Sequence, residues 1–216
     1  MRDRQLSILS GVPVSSLKRP DDDLDYGRLL NAAETSKALR WFVNDRGGLT
    51  ILQVRAMART LRRTKGLDVL ILDYLGLLEG VDKHQPRAYQ IEEASRGLKM
   101  LAKELDIVVI ALAQVNRGAA DKSAMQPPAL HELRDSGAVE QDADVVALLH
   151  RPVQANPQLT GDWAHYALLR LAKNRQGRTG DVHLQYTPEL TKFSAWSGPA
   201  PQLVSSPKAY GRGFDS

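Results

Sequence analysis

Asp-Val-Leu-Ile-Leu-Asp at residues 68–73 and Ile-Val-Val-Ile-Ala-Leu at residues 107–112 decide the fold. Each is a continuous apolar run of strand length, the pattern of a parallel strand covered on both faces. Between them, residues 88–105 place Ile91, Ala94, Leu98, Leu101, Ala102 and Leu105 on one side of a helix. Strand, helix, strand is a βαβ unit, so the chain is expected to be α/β with a mainly parallel sheet. A further apolar strand, Val145–Leu149, is also expected to be buried on both faces. It follows a polar stretch with Arg134, Asp135, Ser136 and Gly137, and Glu140, Asp142 and Asp144 stand at the junction.

Working outward, the pattern predicts helices over residues 4–9 and 24–39, a short strand at Trp41–Val43, and a break at Gly47-Gly48. Thr50 is a plausible N-cap for a helix through Thr64 with Leu52, Ala56 and Leu61 toward one face. Its other face carries Arg55, Arg59, Arg62 and Arg63, which a solvated helix face explains better than a nucleic-acid patch. The loop 114–130, with Gly118, Pro127 and Pro128, is expected to be mobile. His165–Lys173 and Gly180–Tyr186 alternate as an antiparallel hairpin, and Thr191–Trp196 adds a last strand. The expected divisions are a helical segment at 1–46, a core at 47–196 and a disordered tail at 197–216.

Composition narrows the function classes. The 216 residues contain no cysteine, which excludes disulfides, thiolate metal sites and a cysteine nucleophile and suits a cytoplasmic protein. No apolar run is long enough to span a bilayer, so no membrane partner is expected. A net charge of +4 permits a nucleic-acid partner without demanding one.

Four features carry chemistry, each open singly to a structural reading. Asp73 closes an apolar strand, where a carboxylate can hold hydrated Mg²⁺ beside phosphates and where many structural strands also end. Gln114 stands past the next strand, where an amide can hydrogen-bond a terminal phosphate or orient a water. Arg134 beside Gly137 suits a phosphate-gripping loop or a merely solvated one. Lys173 and Arg175, alternate residues of an extended segment, point to one face, with Arg178 in the turn. Such a hairpin can present an arginine finger to another molecule or simply be a basic turn.

Taken in order, these segments resemble the C-terminal RecA-like motor of DnaB-type replicative helicases. The matching segments are Leu-Asp-Tyr-Leu at 72–75, the helix at 92–105, Ala-Gln-Val-Asn-Arg at 113–117, Leu-Arg-Asp-Ser-Gly-Ala-Val-Glu-Gln-Asp-Ala-Asp-Val-Val at 133–146, and Ala-Lys-Asn-Arg-Gln-Gly-Arg-Thr-Gly at 172–180. The resemblance is close over residues 47–196 and looser over 2–45. It implies a partial RecA-like P-loop NTPase fold with a C-terminal antiparallel hairpin, using ATP and Mg²⁺. It implies that Asp73 holds Mg²⁺ through water and that Gln114 senses the γ-phosphate. Lys173 and Arg175 would reach the neighbouring subunit's ATP, Arg175 as the finger. Arg134, Asp135 and Gly137 would grip single-stranded DNA inside a hexameric ring.

There are departures. The family usually has Glu where Asp135 stands and Gln where Gly76 stands. No Gly-x-x-x-x-Gly-Lys-Ser/Thr phosphate loop occurs in the sequence. In the family the catalytic Glu lies on the strand after that loop, so the chain is expected to be a fragment that starts beyond it. The alternative expectation is a non-catalytic module that joins full-length helicase subunits in the ring, or binds single-stranded DNA. A recombinase-like ATPase would share the fold but leaves the Leu-Arg-Asp-Ser-Gly segment unexplained.

Overall fold

The computed structural model describes residues 2–20, 24–115, 125–133 and 136–201. Asp73 begins a cis peptide with Tyr74. Strand β1 (Val69–Leu72) pairs in parallel with β2 (Val108–Ala111). The helices before them are α1 (Arg2–Ser10), α2 (Val14–Lys18), α3 (Tyr26–Ala38) and α4 (Ile51–Thr64), and α5 (Arg87–Leu105) connects the two strands. After β2 come α6 (Ser136–Asp142), β3 (Val145–His150), α7 (Pro152–Ala155), α8 (Asp162–His165), β4 (Tyr166–Asn174), β5 (Gly180–Thr187) and β6 (Lys192–Ala195). Strands β3-β4-β5-β6 form a four-stranded antiparallel sheet. The α/β class holds, and the hairpin foreseen from alternation is the middle of that larger sheet.

Helix α4 starts where expected. The Thr50 hydroxyl accepts from the Gln53 N–H while the Gln53 side chain accepts from the Thr50 N–H, a reciprocal cap. Its buried face differs from the expected one. Ile51, Val54 and Ala58 face inward, with Leu61 packed alongside, while Leu52 is 54% exposed. Positions 51, 54, 58 and 61 follow the helical repeat, which the apolar character of Leu52 and Ala56 obscured. Helix α5 buries Ile91, Ala94, Leu98 and Leu101 as expected. The two helices meet with Leu75 and Leu78 over Leu70, Leu72 and Val109 of the parallel pair.

Other expectations are corrected. Neither β1, β2 nor β3 is buried on both faces; each alternates or lies largely open. Trp41–Val43 joins no β-ladder and is exposed, because no described strand lies beside it. The short α2 was not foreseen, its five residues being too few for periodicity. Helix α1 packs on α3, and α1 and α2 both touch the 3₁₀ turn Pro188–Leu190 between β5 and β6. Residues 116–124 of the loop expected to be mobile, and 202–216 of the tail, lie outside the described residues.

Candidate functional site

Asp73 follows β1 and Gln114 follows β2, so both sit at the C-terminal ends of paired parallel strands, where ligands of open α/β sheets bind. The strand ends are tied by Leu112 N–H to Leu72 O at 2.9 Å and Leu75 N–H to Leu112 O at 2.8 Å. Both side chains are exposed. Beside them lies a small cavity of about 160 Å³, lined by Tyr74, Leu75, Gly76, Arg87, Ile91, Ala113 and Gln114.

Two of its lining residues have local causes. A Cβ at Gly76 would lie 2.6 Å from Cε2 of Tyr74, so the Tyr74 ring fills the space that a side chain at 76 would need. Arg87 sits in the first turn of α5, where a cation opposes the helix dipole. Its guanidinium reaches back instead to Gly76 O at 2.6 Å, Leu78 O at 2.9 Å and Gln90 Oε1 at 2.9 Å. It fastens the loop that follows Asp73. That misplaced charge at a helix start was the signal by which sequence reading could have found it.

A second group gathers around the C-terminal end of α6. Lys173 donates to Glu140 O and, at 3.4 Å, to Gln141 O. Arg175 donates to Gln141 O at 2.5 Å and to Asp144 Oδ1 at 3.3 Å, and its backbone N–H donates to Asp144 O at 2.9 Å. Lys173 and Arg175 thus do share a face, and there they cap the free carbonyls and negative dipole end of α6. Lys99 of α5 completes the group by pairing with the Asp144 carboxylate. The Lys99 hydrogen bond chiefly, with the Arg175 charge beside it, holds Asp144 below the usual carboxylate range. The pairing of Lys99 with Asp144 was missed because the two lie far apart in sequence.

Of the loop residues singled out for DNA, Gly137 is in the first turn of α6, with open space where a Cβ would be. Arg134 and Asp135 lie outside the described residues. The Arg face of α4 is not simply solvated. Arg55 and Arg59 both donate to Glu104 of α5, and Arg62 donates to Leu67 O and Asp68.

The donor set suits part of a nucleotide site. Asp73 offers a lone carboxylate, which fits Mg²⁺ held mainly through water, and Gln114 offers an amide to one phosphate oxygen. Among the described residues no group of three or more His, Asp or Glu forms a direct metal cage. Nothing described supplies the row of backbone N–H groups and Lys that a polyphosphate needs. No described helix is long and apolar enough to cross a membrane.

Residues 1–195 match the family model of the DnaB-like helicase C-terminal domain. The replicative DNA helicase DnaB of Rickettsia prowazekii (strain Madrid E) is 37% identical over 206 residues, covering 88% of this chain and 42% of the relative. That of Leifsonia xyli subsp. xyli is 36% identical over 195 residues, covering 88% and 41%. This chain therefore spans less than half the length of these relatives. Among solved structures, a DnaB-like replicative helicase studied for its interactions with primase superposes with a TM-score of 0.82 at 30% identity, over 90% of this chain and 48% of that one. A second solved structure, of an ATPase domain, superposes with a TM-score of 0.81 at 30% identity, over 90% and 69%.

Proposed function

The chain belongs to the DnaB-like helicase C-terminal domain family, and from that premise we propose that it serves in the ATP-driven motor of a replicative DNA helicase. One observation carries the reading most directly. Asp73 directly follows β1 and Gln114 lies three residues past β2, both at the C-terminal ends of two hydrogen-bonded parallel strands. In this reading Asp73 holds Mg²⁺ through water and Gln114 contacts the terminal phosphate of ATP. Mg²⁺ supplies charge neutralisation of the phosphates when bound. Lys173 and Arg175 lie on a hairpin that can be offered to a neighbouring subunit of a hexameric ring. Arg134, Asp135 and Gly137 grip the backbone of single-stranded DNA. Arg175 in the isolated chain is held by Asp144 and the end of α6, so service as a finger requires it to leave those partners.

A second reading is favoured by the sequence itself, which has no phosphate loop. The chain would then act as a non-catalytic module that joins full-length helicase subunits and supplies Arg175 and the DNA loop to them.

Rings assembled from phosphate-loop-bearing helicase subunits together with this chain test both readings. Arg175→Ala in this chain should lower hydrolysis at the sites it faces by about 10³-fold, with far less effect on nucleotide affinity. Asp73→Ala separates the readings: it lowers hydrolysis if this chain's own strand ends bind Mg²⁺ and leaves it unchanged if the chain is a non-catalytic module. Turnover unaffected by Arg175→Ala in stable mixed rings would reduce the hairpin to a basic turn and overturn the finger assignment.

A further inference from the structure

Asp144 immediately precedes β3, Arg175 immediately follows β4, and Val145 pairs with Asn174, so Asp144 and Arg175 face each other at the end of the antiparallel ladder. Their backbones are joined by Arg175 N–H to Asp144 O at 2.9 Å. The Asp144 carboxylate is shared by two cations from different elements. Lys99 of α5 donates to Oδ2, and the Arg175 guanidinium donates to Oδ1 at 3.3 Å. The second contact is long for a charge-assisted hydrogen bond, which is about 2.7–2.9 Å. The Lys99 hydrogen bond is also the first cause of the lowered Asp144 pKa, ahead of the Arg175 charge. Arg175 is therefore the more weakly held cation, and its side chain is 47% exposed against 23% for Lys99. Its other side-chain bond, to Gln141 O, has a substitute, because Lys173 donates to the same carbonyl at 3.4 Å and to Glu140 O. When Arg175 swings away, Lys99 stays on the carboxylate and Lys173 stays on the carbonyls. Neither the carboxylate nor these carbonyls is then left without a donor.

A carboxylate that faced Arg175 alone would behave differently. It would turn both oxygens to the guanidinium and grip it as a bidentate fork, with no second cation to repel it. Lys99 prevents that arrangement by occupying Oδ2. We propose that Lys99 is a positioning residue for Arg175: by sharing Asp144 it keeps the guanidinium in place at the end of α6 yet readily released to a phosphate oxygen of nucleotide on a neighbouring subunit. The inference rests on the reading of Arg175 as a finger given above. Lys99 acts only through Asp144, so two opposite effects are required. Removing the Lys99 charge tightens the hold on Arg175, and removing the Asp144 charge loosens it.

The first measurement uses the chain alone and follows rotation of the Arg175 guanidinium by NMR. Lys99→Met keeps the side-chain length and a good helix former, so α5 is retained. It should slow that rotation by about two- to fivefold, the range an exposed ion pair spans. Asp144→Asn should speed it, and Lys103→Met, the same charge loss one turn along α5, should change nothing. Rotation that is unaltered or faster in Lys99→Met overturns the proposal. So does a shift in the same direction in Lys99→Met and Asp144→Asn, which would make the group a plain anchor between α5 and the hairpin. The second measurement uses the mixed rings described above. Lys99→Met should lower kcat by a similar factor with KM for ATP unchanged, and Lys99→Arg should retain the parent value. Asp144→Asn should not lower kcat, and Lys99→Met added to it should have no further effect. A lowered kcat in Lys99→Met that persists in the Asp144→Asn background overturns action through Asp144. Turnover indifferent to Arg175→Ala overturns the finger reading, and with it the release role of Lys99. A response to Arg175→Ala without one to Lys99→Met overturns this inference alone.

Discussion

Thr191 turns the chain from β5 into β6 with φ of 51° and ψ of 38°. A β-branched residue is poorly suited to that left-handed region. Its Oγ1 is also buried without a hydrogen-bond partner. Thr191→Gly removes the strain and the orphaned hydroxyl, and these gains exceed the extra unfolded-state freedom of glycine. Stability should rise by about 1 kcal/mol, read from a shift of the urea midpoint at constant m. An unchanged or lower midpoint would show that the backbone there is not strained. Sequence reading at this scale located residues where a strand ends. The placement of Asp73 and Gln114 was legible because an apolar run that stops at a polar residue marks a strand terminus. The Lys99–Asp144–Arg175 group was not, since no local pattern links residues brought together only by the packing of α5, α6 and the hairpin.

Besides their shared core, helices α4 and α5 meet at a close approach and at a charge cluster. A Cβ built on Gly97 would lie 2.4 Å from Cγ1 of Ile51. Two effects of Gly97→Ala compete. Helix propensity would gain about 1 kcal/mol, while overpacking a core contact costs about 1–3 kcal/mol. The clash should win, so Gly97→Ala is expected to lower the denaturant midpoint, and Ile51→Ala introduced with it should lose less than the two changes summed. Simple additivity in that double-mutant cycle would remove the packing explanation. At the other end of the crossing, hydrogen bonds from Arg59 first and Arg55 second hold the Glu104 carboxyl down to about 2. A carboxylate whose folded value is depressed adds stability above its unfolded value of about 4.3. That contribution is lost as pH falls toward 2. Glu104→Gln should therefore flatten the dependence of melting temperature on pH between these limits and change little of its slope near neutrality. A variant as acid-sensitive as the parent would show that the cluster is too exposed to matter. The existence of these helices was legible from their repeat. Which face of α4 turns inward was not, because Leu52 is as apolar as Ile51 and only the neighbouring helix distinguishes them.

Across the whole molecule, the α/β class and the order of strands around α5 were legible, while the coverage of the sheet was not. An apolar run says that a strand prefers burial on both faces and is silent on whether a neighbour is there. The same limit applies to Trp41–Val43, read as a strand and lacking a ladder partner among the described residues. The expected use of the assembled molecule leads to a prediction on DNA. The segment of Arg134 offers a guanidinium and glycine backbone rather than aromatic platforms, so it should meet phosphate and not bases. In a ring, Arg134→Ala should weaken binding to poly-dT and mixed-sequence strands alike and lower the salt slope by roughly 0.7 per lost contact. A preserved slope, or a loss confined to one sequence, would sink that role. The seating of α1 and α2 on the Pro188–Leu190 turn has its own consequence, one of timing. Helix α1 has a near partner in α3, but the contact of α1 and α2 with this turn joins the first described helices to a segment past β5. Their docking closes a loop of nearly the entire chain, with the entropy that such closure costs. That contact should therefore form late in folding, after the nearer α1–α3 pair.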